Sequence, residues 1–452
     1  MATTAPAPDG NPPVTVGHPR SSNAWWIVAL TGAVVVTGTA YSLWWATVVQ
    51  HSAVDYWIQP GDLLGTLRIS GWIEYGGFSY LYSLHGGLVT LPGFAILLTP
   101  FVKLSQVMHL VPATRLLLLP RPTQWLLIGP VSMATSAVAL AGLDTLARTL
   151  GTSLVRRRIL LVAEAAAIWD VIVSWGHPED VLALGLATLA LSRALEGRTT
   201  SAAWFLAGSL TMQLYVVLLI PIFIGLLGVR RSAPFLARAA LLPGALLLAL
   251  AVPDPSGTLH VLFDQPNFPT VDHPTPWVLV APHLGHGVVA AGPGRLIGLA
   301  AACGLGFLAA RFRRDRLTIV WLAALALAVR CLTEAVMDPY YVAPAVAVAF
   351  VAVASCSWRR WPWAAAAGAA LTVLTYSRPG IWWYWLEMAA GFGVILAASL
   401  PPTLTSRLSR VRVRTAAALD TLPATVASAE AGVVPVAARD GFALSAPRLD
   451  KT

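Results

Sequence analysis

The sequence predicts an all-α protein, a polytopic transmembrane helical bundle, and three observations lead there. Of 452 residues, 57% are hydrophobic and 11% charged, against about 25% charged in a soluble domain, so water is not the solvent for most of the surface. Apolar stretches of roughly 20 residues, the length that crosses a hydrocarbon core, recur from Ala24 to Leu400. They are continuous rather than alternating, and a backbone in lipid must satisfy its own hydrogen bonds, which selects helices over a barrel.

The elements follow in order. Residues 1–23, rich in Pro, Ala and Thr, form a disordered tail that enters a long apolar segment without a small-residue cleavage site, so the first helix is expected to be retained. The membrane domain occupies 24–402, with full spans expected at 24–49, 123–146, 157–176, 180–195, 235–252, 293–311, 317–336, 340–357, 362–376 and 380–400. Two further apolar stretches, 81–104 and 201–228, contain proline and glycine and are expected to be broken or re-entrant, beside about ten full spans. Major outer loops lie at 50–80 and 253–290; the prolines of the second suggest an extended path forming a lid or wall. From 403 to 452 apolar density falls, and a disordered tail is expected.

Charge orients the bundle. The net charge of +9 invites a nucleic-acid reading, but most arginines sit in short loops between apolar segments, where topology places them, and no nucleic acid is expected. Arg156–Arg158, Arg193 and Arg198, Arg230 and Arg231, Arg311–Arg316, and Arg359 and Arg360 all fall on the cytoplasmic side, with both termini, if 81–104 and 201–228 turn back instead of crossing. Arg68, Lys103, Arg115 and Arg121 then lie outside, against the rule. The same solution gathers Asp55, Asp62, Glu74, Glu179, Asp180, Asp254, Asp264, Asp272 and Asp338 on the outer face of a cell membrane. Cys303, Cys331 and Cys356 lack metal or disulfide spacing.

Three outer constellations carry the candidate chemistry. Loop 50–80 holds His51, Asp55, Tyr56 and Trp57, then Asp62, then Trp72-Ile-Glu74-Tyr75 and Tyr80-Leu-Tyr82. Such rings stack on sugar faces and a carboxylate can accept a hydroxyl proton, although tryptophan and tyrosine also form an interfacial belt in any membrane protein. Trp175-Gly-His177-Pro-Glu179-Asp180 holds three ionisable groups between two spans; Pro178 and the acids equally suit a helix start. Without a second histidine at fixed spacing, a divalent metal is unsupported there. Arg330-Cys-Leu-Thr-Glu334, followed by Asp338, Tyr340 and Tyr341, places an arginine one turn from a glutamate. Arg330 suits a phosphate or a structural ion pair. Glu164, Asp170 and Glu387 are further candidates because charge within a span is costly.

This order of features resembles the integral-membrane glycosyltransferases of GT-C fold that use polyprenyl-phosphate sugars, especially the bacterial polyprenol-phosphate-mannose-dependent mannosyltransferases. Asp55 matches their first-loop aspartate; Tyr80-Leu-Tyr82 through Leu91-Pro92 and Thr99-Pro100 match an aromatic segment before a proline-containing dip. Gly176 to Asp180, Arg193 to Arg198, and Ala207-Gly208 through Gln213 to Pro221 match the turns and small-residue helix that follow. Two positions depart: Gln213 stands where the family commonly has lysine, and the aromatic-Pro-Pro motif is loosened to Leu91-Pro92-Gly93.

The resemblance implies transfer of a sugar, mannose for the family, from a polyprenyl-phosphate donor to an envelope lipid or glycan hydroxyl, with inversion and no need of a nucleotide; no cofactor is certain, and a divalent metal is possible but unsupported. It implies Asp55 as the base. Asp62, Glu74, His177, Glu179, Asp180, Gln213, Arg330, Glu334, Asp338, Tyr340 and Tyr341 are the donor- and acceptor-binding candidates, with Arg330 on the phosphate. The competing expectations are a transporter or lipid flippase, which would place functional polar residues on both faces, and a scaffold subunit of envelope enzymes.

Overall fold

The computed structural model describes residues 23–45, 61–82, 88, 90–110, 122–263, 265–377 and 379–406. Its first unit ends at Pro401; of the second, residues 402–406 are described and are helical. The described chain is helical almost throughout, as expected. It begins with α1 (Ala24–Trp44), α2 (Gly61–Glu74) and α3 (Gly93–Val107). Then come α4 (Pro122–Ala134), α5 (Ser136–Thr149), α6 (Leu154–Trp169), α7 (Pro178–Leu195) and α8 (Thr199–Met212). α9 (Ile220–Leu227), α10 (Val229–Ala251) and α11 (Pro255–Phe263) follow, and after a looped segment α12 (Gly294–Phe312) and α13 (Arg316–Thr333). α14 (Val342–Cys356), α15 (Trp361–Leu374) and α16 (Ile381–Ala398) complete the bundle.

Seven helical stretches among the described residues are long and apolar enough to cross a membrane. They are α1, Leu127–Thr149, α10, α12, α13, Pro339–Cys356 and α16. α6, α7 and α15 are shorter or carry charge at their ends, yet they run between the same two ends of the bundle, so the expected total of about ten passes stands.

Contacts define those ends. Thr149 Oγ1 lies 2.7 Å from Ser192 Oγ, Thr152 Oγ1 lies 2.6 Å from Ser355 Oγ, and Arg316 donates to the Thr149 carbonyl at 3.2 Å. The Arg156 guanidinium sits 5.8 Å from the Trp358 ring centre. The loops holding Arg156–Arg158, Arg193, Arg316 and Arg360 therefore share one end. At the other end Tyr41 packs on Trp169, Trp175 on Tyr376 and His273 on Tyr384.

The broken stretch 201–228 turns back. α8 leaves the arginine-bearing end after Arg198, and Gln213 breaks it by adopting extended geometry (φ −150°, ψ 136°). Six residues of 3-10 helix, Leu214–Leu219, lead into α9, which has Pro221 in its first turn, where a missing amide N–H costs nothing. α9 packs along α12, Pro221 against Gly306 and Gly225 against Ala310. It ends at Gly228, whose φ of +75° is glycine territory, beside Arg313 of the arginine-bearing end.

In stretch 81–104 the helix starts only at Gly93, after Pro92; residues 83–87 and 89 lie outside the described set. Gly93 abuts the backbone of Thr211 at the end of α8, and α3 packs mainly on α2. Lys103, placed outside against the positive-inside rule, meets Glu74 at 2.5 Å.

Loop 253–290 departs from the expected extended path, because Asp254-Pro255 starts a helix. The Asp254 carboxylate accepts from the Gly257 amide at 2.9 Å, and Pro255 presets the first turn of α11. Beyond it, β1 (His273–Pro274) precedes β2 (His283–Gly285) and β3 (Val288–Val289), which pair with each other. β1 pairs antiparallel with β4 (Val336–Met337), His273 opposite Met337. The loop is thus stitched to the chain leaving α13.

The core depends on close helix crossings. A Cβ on Gly185 would lie 2.6 Å from the Ala139 amide nitrogen, and one on Gly142 would meet Gly185 and Thr188. α5 and α7 can approach so closely only because both positions are glycine. Gly185→Val is expected to destabilise the protein by about 1–3 kcal/mol through overpacking, read as a lowered melting midpoint of the purified protein in detergent. An unchanged midpoint would mean that the two helices do not approach so closely.

Candidate functional site

A short irregular segment builds the first wall of the site. α6 runs into a π-helical turn at Asp170–Ser174, a rare geometry that often marks functional positions. Gly176 then takes φ +75° and reverses the chain. His177 precedes α7, Pro178 opens it, and Glu179 and Asp180 occupy its first turn, where carboxylates complement the helix dipole. His177 Nδ1 lies 2.8 Å from Glu179 Oε1 and 3.5 Å from Asp180 Oδ2. All three residues are buried: 4%, 7% and 3% exposed respectively. Gln213 Nε2 donates to Asp180 Oδ2 at 3.1 Å, and Tyr215 OH donates to the Asp180 carbonyl at 3.2 Å.

The opposite wall comes from the ends of α12 and α13. Glu334 caps α13 in extended conformation, and its carboxylate accepts from Arg330 Nε at 3.2 Å and from Arg295 Nε at 3.0 Å. The pairing of Arg330 with Glu334 one turn on is as expected; two guanidinium groups on one carboxylate leave the cluster net positive. The Arg330 guanidinium lies 3.9 Å from the Tyr341 ring centre and 5.6 Å from that of Tyr215, sites that favour a cation. Arg295 also donates to Gln265 Oε1 at 2.8 Å.

Between the walls lies a cavity of about 520 Å³. His177, Glu179, Gln213, Arg330, Glu334, Asp338, Tyr340 and Tyr341, all singled out in the sequence, line it. Tyr340 stacks on the His177 ring with centroids 3.4 Å apart, and its hydroxyl donates to Asp338 at 2.9 Å. Gly65, Thr66 and Ile69 of α2 also line the cavity, as do Gln265 to Phe268 and Asp272. Loop 253–290 is therefore a wall. Thr275 donates to the Glu334 carbonyl at 2.5 Å and Trp277 Nε1 to that of Leu332 at 2.8 Å, which hold this wall in place.

Asp180 faces a smaller space of about 40 Å³, together with Glu164, Asp170 and Tyr340. Tyr376 bonds Asp170 through its hydroxyl.

Several expectations need revision. Glu74 does not line the cavity; it is held by Lys103 and by Gln106 Nε2 at 2.6 Å, a structural contact between α2 and α3. Asp55 lies outside the described residues, as does the Asp62 side chain. Arg295, Tyr215 and Gln265 were missed. Arg295 carried a readable signal: a cation opening an apolar span at the acid-rich end contradicts the positive-inside rule. His177, Glu179 and Asp180 also converge closely enough to hold a cation, with ligand atoms all within 4.8 Å of one another. No protein-family model, curated protein or solved structure matches the chain.

Proposed function

We propose that the chain is a cell-membrane glycosyltransferase that moves a sugar from a polyprenyl-phosphate donor to a hydroxyl of an envelope lipid or glycan. The single observation that carries this reading is the polarity of the cavity. One wall is the Arg295–Glu334–Arg330 cluster and the other is His177 with Glu179. A sugar phosphate has that same polarity. Its anionic end suits the guanidinium groups, whose planar forks match phosphate oxygens, and its hydroxyls suit carboxylates and Gln213. Tyr340 and Tyr341 offer rings beside the sugar. In this reading arginine takes the role that the resemblance gives to a lysine at the position of Gln213.

The acceptor oxygen attacks the anomeric carbon as the bond to the phosphate oxygen breaks. The electron pair stays on the polyprenyl phosphate, where Arg330 and Arg295 offset the developing charge. The acceptor proton passes to a carboxylate, Asp55 by the resemblance, and the anomeric configuration inverts. Mannose is the sugar the resemblance favours. In this reading the reaction face is the outer one, opposite the arginine loops, and both termini are cytoplasmic, as the positive-inside rule favours.

The test is direct. Protein purified into lipid nanodiscs is supplied with radiolabelled polyprenyl-phosphate mannose and envelope lipid extract. A labelled glycolipid of inverted configuration is expected. Donor left intact with every envelope acceptor fraction and every polyprenyl-phosphate hexose tried would reject the transferase reading.

A further inference from the structure

We propose that His177, Glu179 and Asp180 bind one divalent transition-metal cation, of the Mn²⁺ or Zn²⁺ type, at the edge of the large cavity. Among the described residues this is the group of three histidine, cysteine, aspartate or glutamate side chains whose ligand atoms converge, all within 4.8 Å. Ligands at about 2.0–2.2 Å from such an ion stand roughly 3–3.5 Å from one another in tetrahedral or octahedral arrangement. His177 Nδ1 lies 2.8 Å from Glu179 Oε1 and 3.5 Å from Asp180 Oδ2, which brackets that spacing.

A second observation points to a ligand. Glu179 is 93% buried on the complement of its 7% exposure, yet its Oε2 has no hydrogen-bond partner among the described residues. A buried carboxylate oxygen left alone is costly, and here a second carboxylate lies beside it. The arginines lining the cavity are engaged with Glu334. A cation chelated by both carboxylate oxygens of Glu179, together with His177 and Asp180, would satisfy the orphaned Oε2 and offset the two adjacent negative charges at once.

The surroundings suit a preformed site. Tyr340 stacked on the imidazole fixes its plane, and Gln213 and Tyr215 hold Asp180 through its carboxylate and carbonyl; such outer contacts orient metal ligands. One imidazole with two carboxylates is a mixed donor set that suits Zn²⁺ or Mn²⁺ better than Ca²⁺ or Cu⁺. Three protein ligands leave positions for oxygen atoms of whatever occupies the cavity, so the inference stands apart from the glycosyl-transfer reading. The competing arrangement is a hydrogen-bonded histidine–glutamate pair without metal, with Nδ1–H donated to Oε1.

The test uses the purified full-length protein in detergent, stripped with chelator and titrated with Mn²⁺ alone while free ion is followed by its electron paramagnetic resonance signal. About one ion bound per chain is expected, displaced by Zn²⁺. His177→Ala and Glu179→Gln should each weaken binding by at least about 10-fold, and Gln213→Ala by roughly 10-fold through Asp180. Each variant is first shown to elute and melt as the unaltered protein does. Absence of stoichiometric binding by the unaltered protein overturns the site and leaves the hydrogen-bonded pair. Binding that survives intact in both ligand variants overturns it equally, by placing the ion elsewhere. Neither result bears on sugar transfer, which is assayed separately.

Discussion

Arg330→Met is expected to lower kcat/KM for a polyprenyl-phosphate sugar by about 10²–10³-fold, the usual effect of removing one preorganised donor from a site where negative charge develops. The side chain is 13% exposed, fixed by Glu334 at 3.2 Å and covered by the Tyr341 ring at 3.9 Å. Its orientation is thus set before the donor arrives, and no reorganisation is required during reaction. Arg330→Lys should recover little, because an ammonium cannot hold Glu334 and two phosphate oxygens from one planar fork. The measurement is initial transfer rate against donor concentration, with the melting midpoint recorded for each variant. Arg330→Lys working as well as arginine would remove Arg330 from the phosphate.

Asp144→Ala is expected to destabilise the protein by about 3–5 kcal/mol, the range for breaking a buried ion pair from one side. Asp144 and Arg157 are each 4% exposed. Arg157 Nη1 contacts the two carboxylate oxygens at 3.1 and 3.0 Å, and Asn23 Nδ2 donates at 2.8 Å. One carboxylate thus joins the starts of α1 and α6 to α5, far from the cavity. The alanine variant removes the Asp144 carboxylate from beside the buried Arg157 guanidinium. The double variant Asp144→Leu with Arg157→Met removes both charges and should recover most of the loss, a contrast that thermal unfolding in detergent resolves. A single variant as stable as the double would show that the pair is not buried as described.

Much of this architecture could be read from the chain because its signals are local. Hydropathy locates helices one at a time, and arginine counting orients them without any knowledge of packing. The break at Gln213 was legible from the proline and small residues around it. The cluster from Gly176 to Asp180 was legible because its members are contiguous. Pairings across the fold were not. Arg295 and Glu334 are 39 residues apart, and nothing in either segment names the other. Glu74 looked like a site residue because its partner, Lys103, lay in a different helix and was counted only as an exception to topology. The π-turn after Trp169 escaped because its apolar residues fit an ordinary helix equally well. Helix α11 escaped because the prolines downstream outweighed the Asp254-Pro255 start signal.

The account depends on a cavity that opens to one face only, as a transferase with a lipid-borne donor requires and a carrier does not. Accessibility labelling tests this directly. With the three native cysteines replaced, single cysteines are introduced at Gln213, at exposed Leu279 and at exposed Arg198, and sealed vesicles are treated with an impermeant maleimide from either side. The Gln213→Cys protein should react from the Leu279 side alone, and more slowly when polyprenyl phosphate is present. Reaction of that cysteine from the Arg198 side would contradict a one-faced cavity.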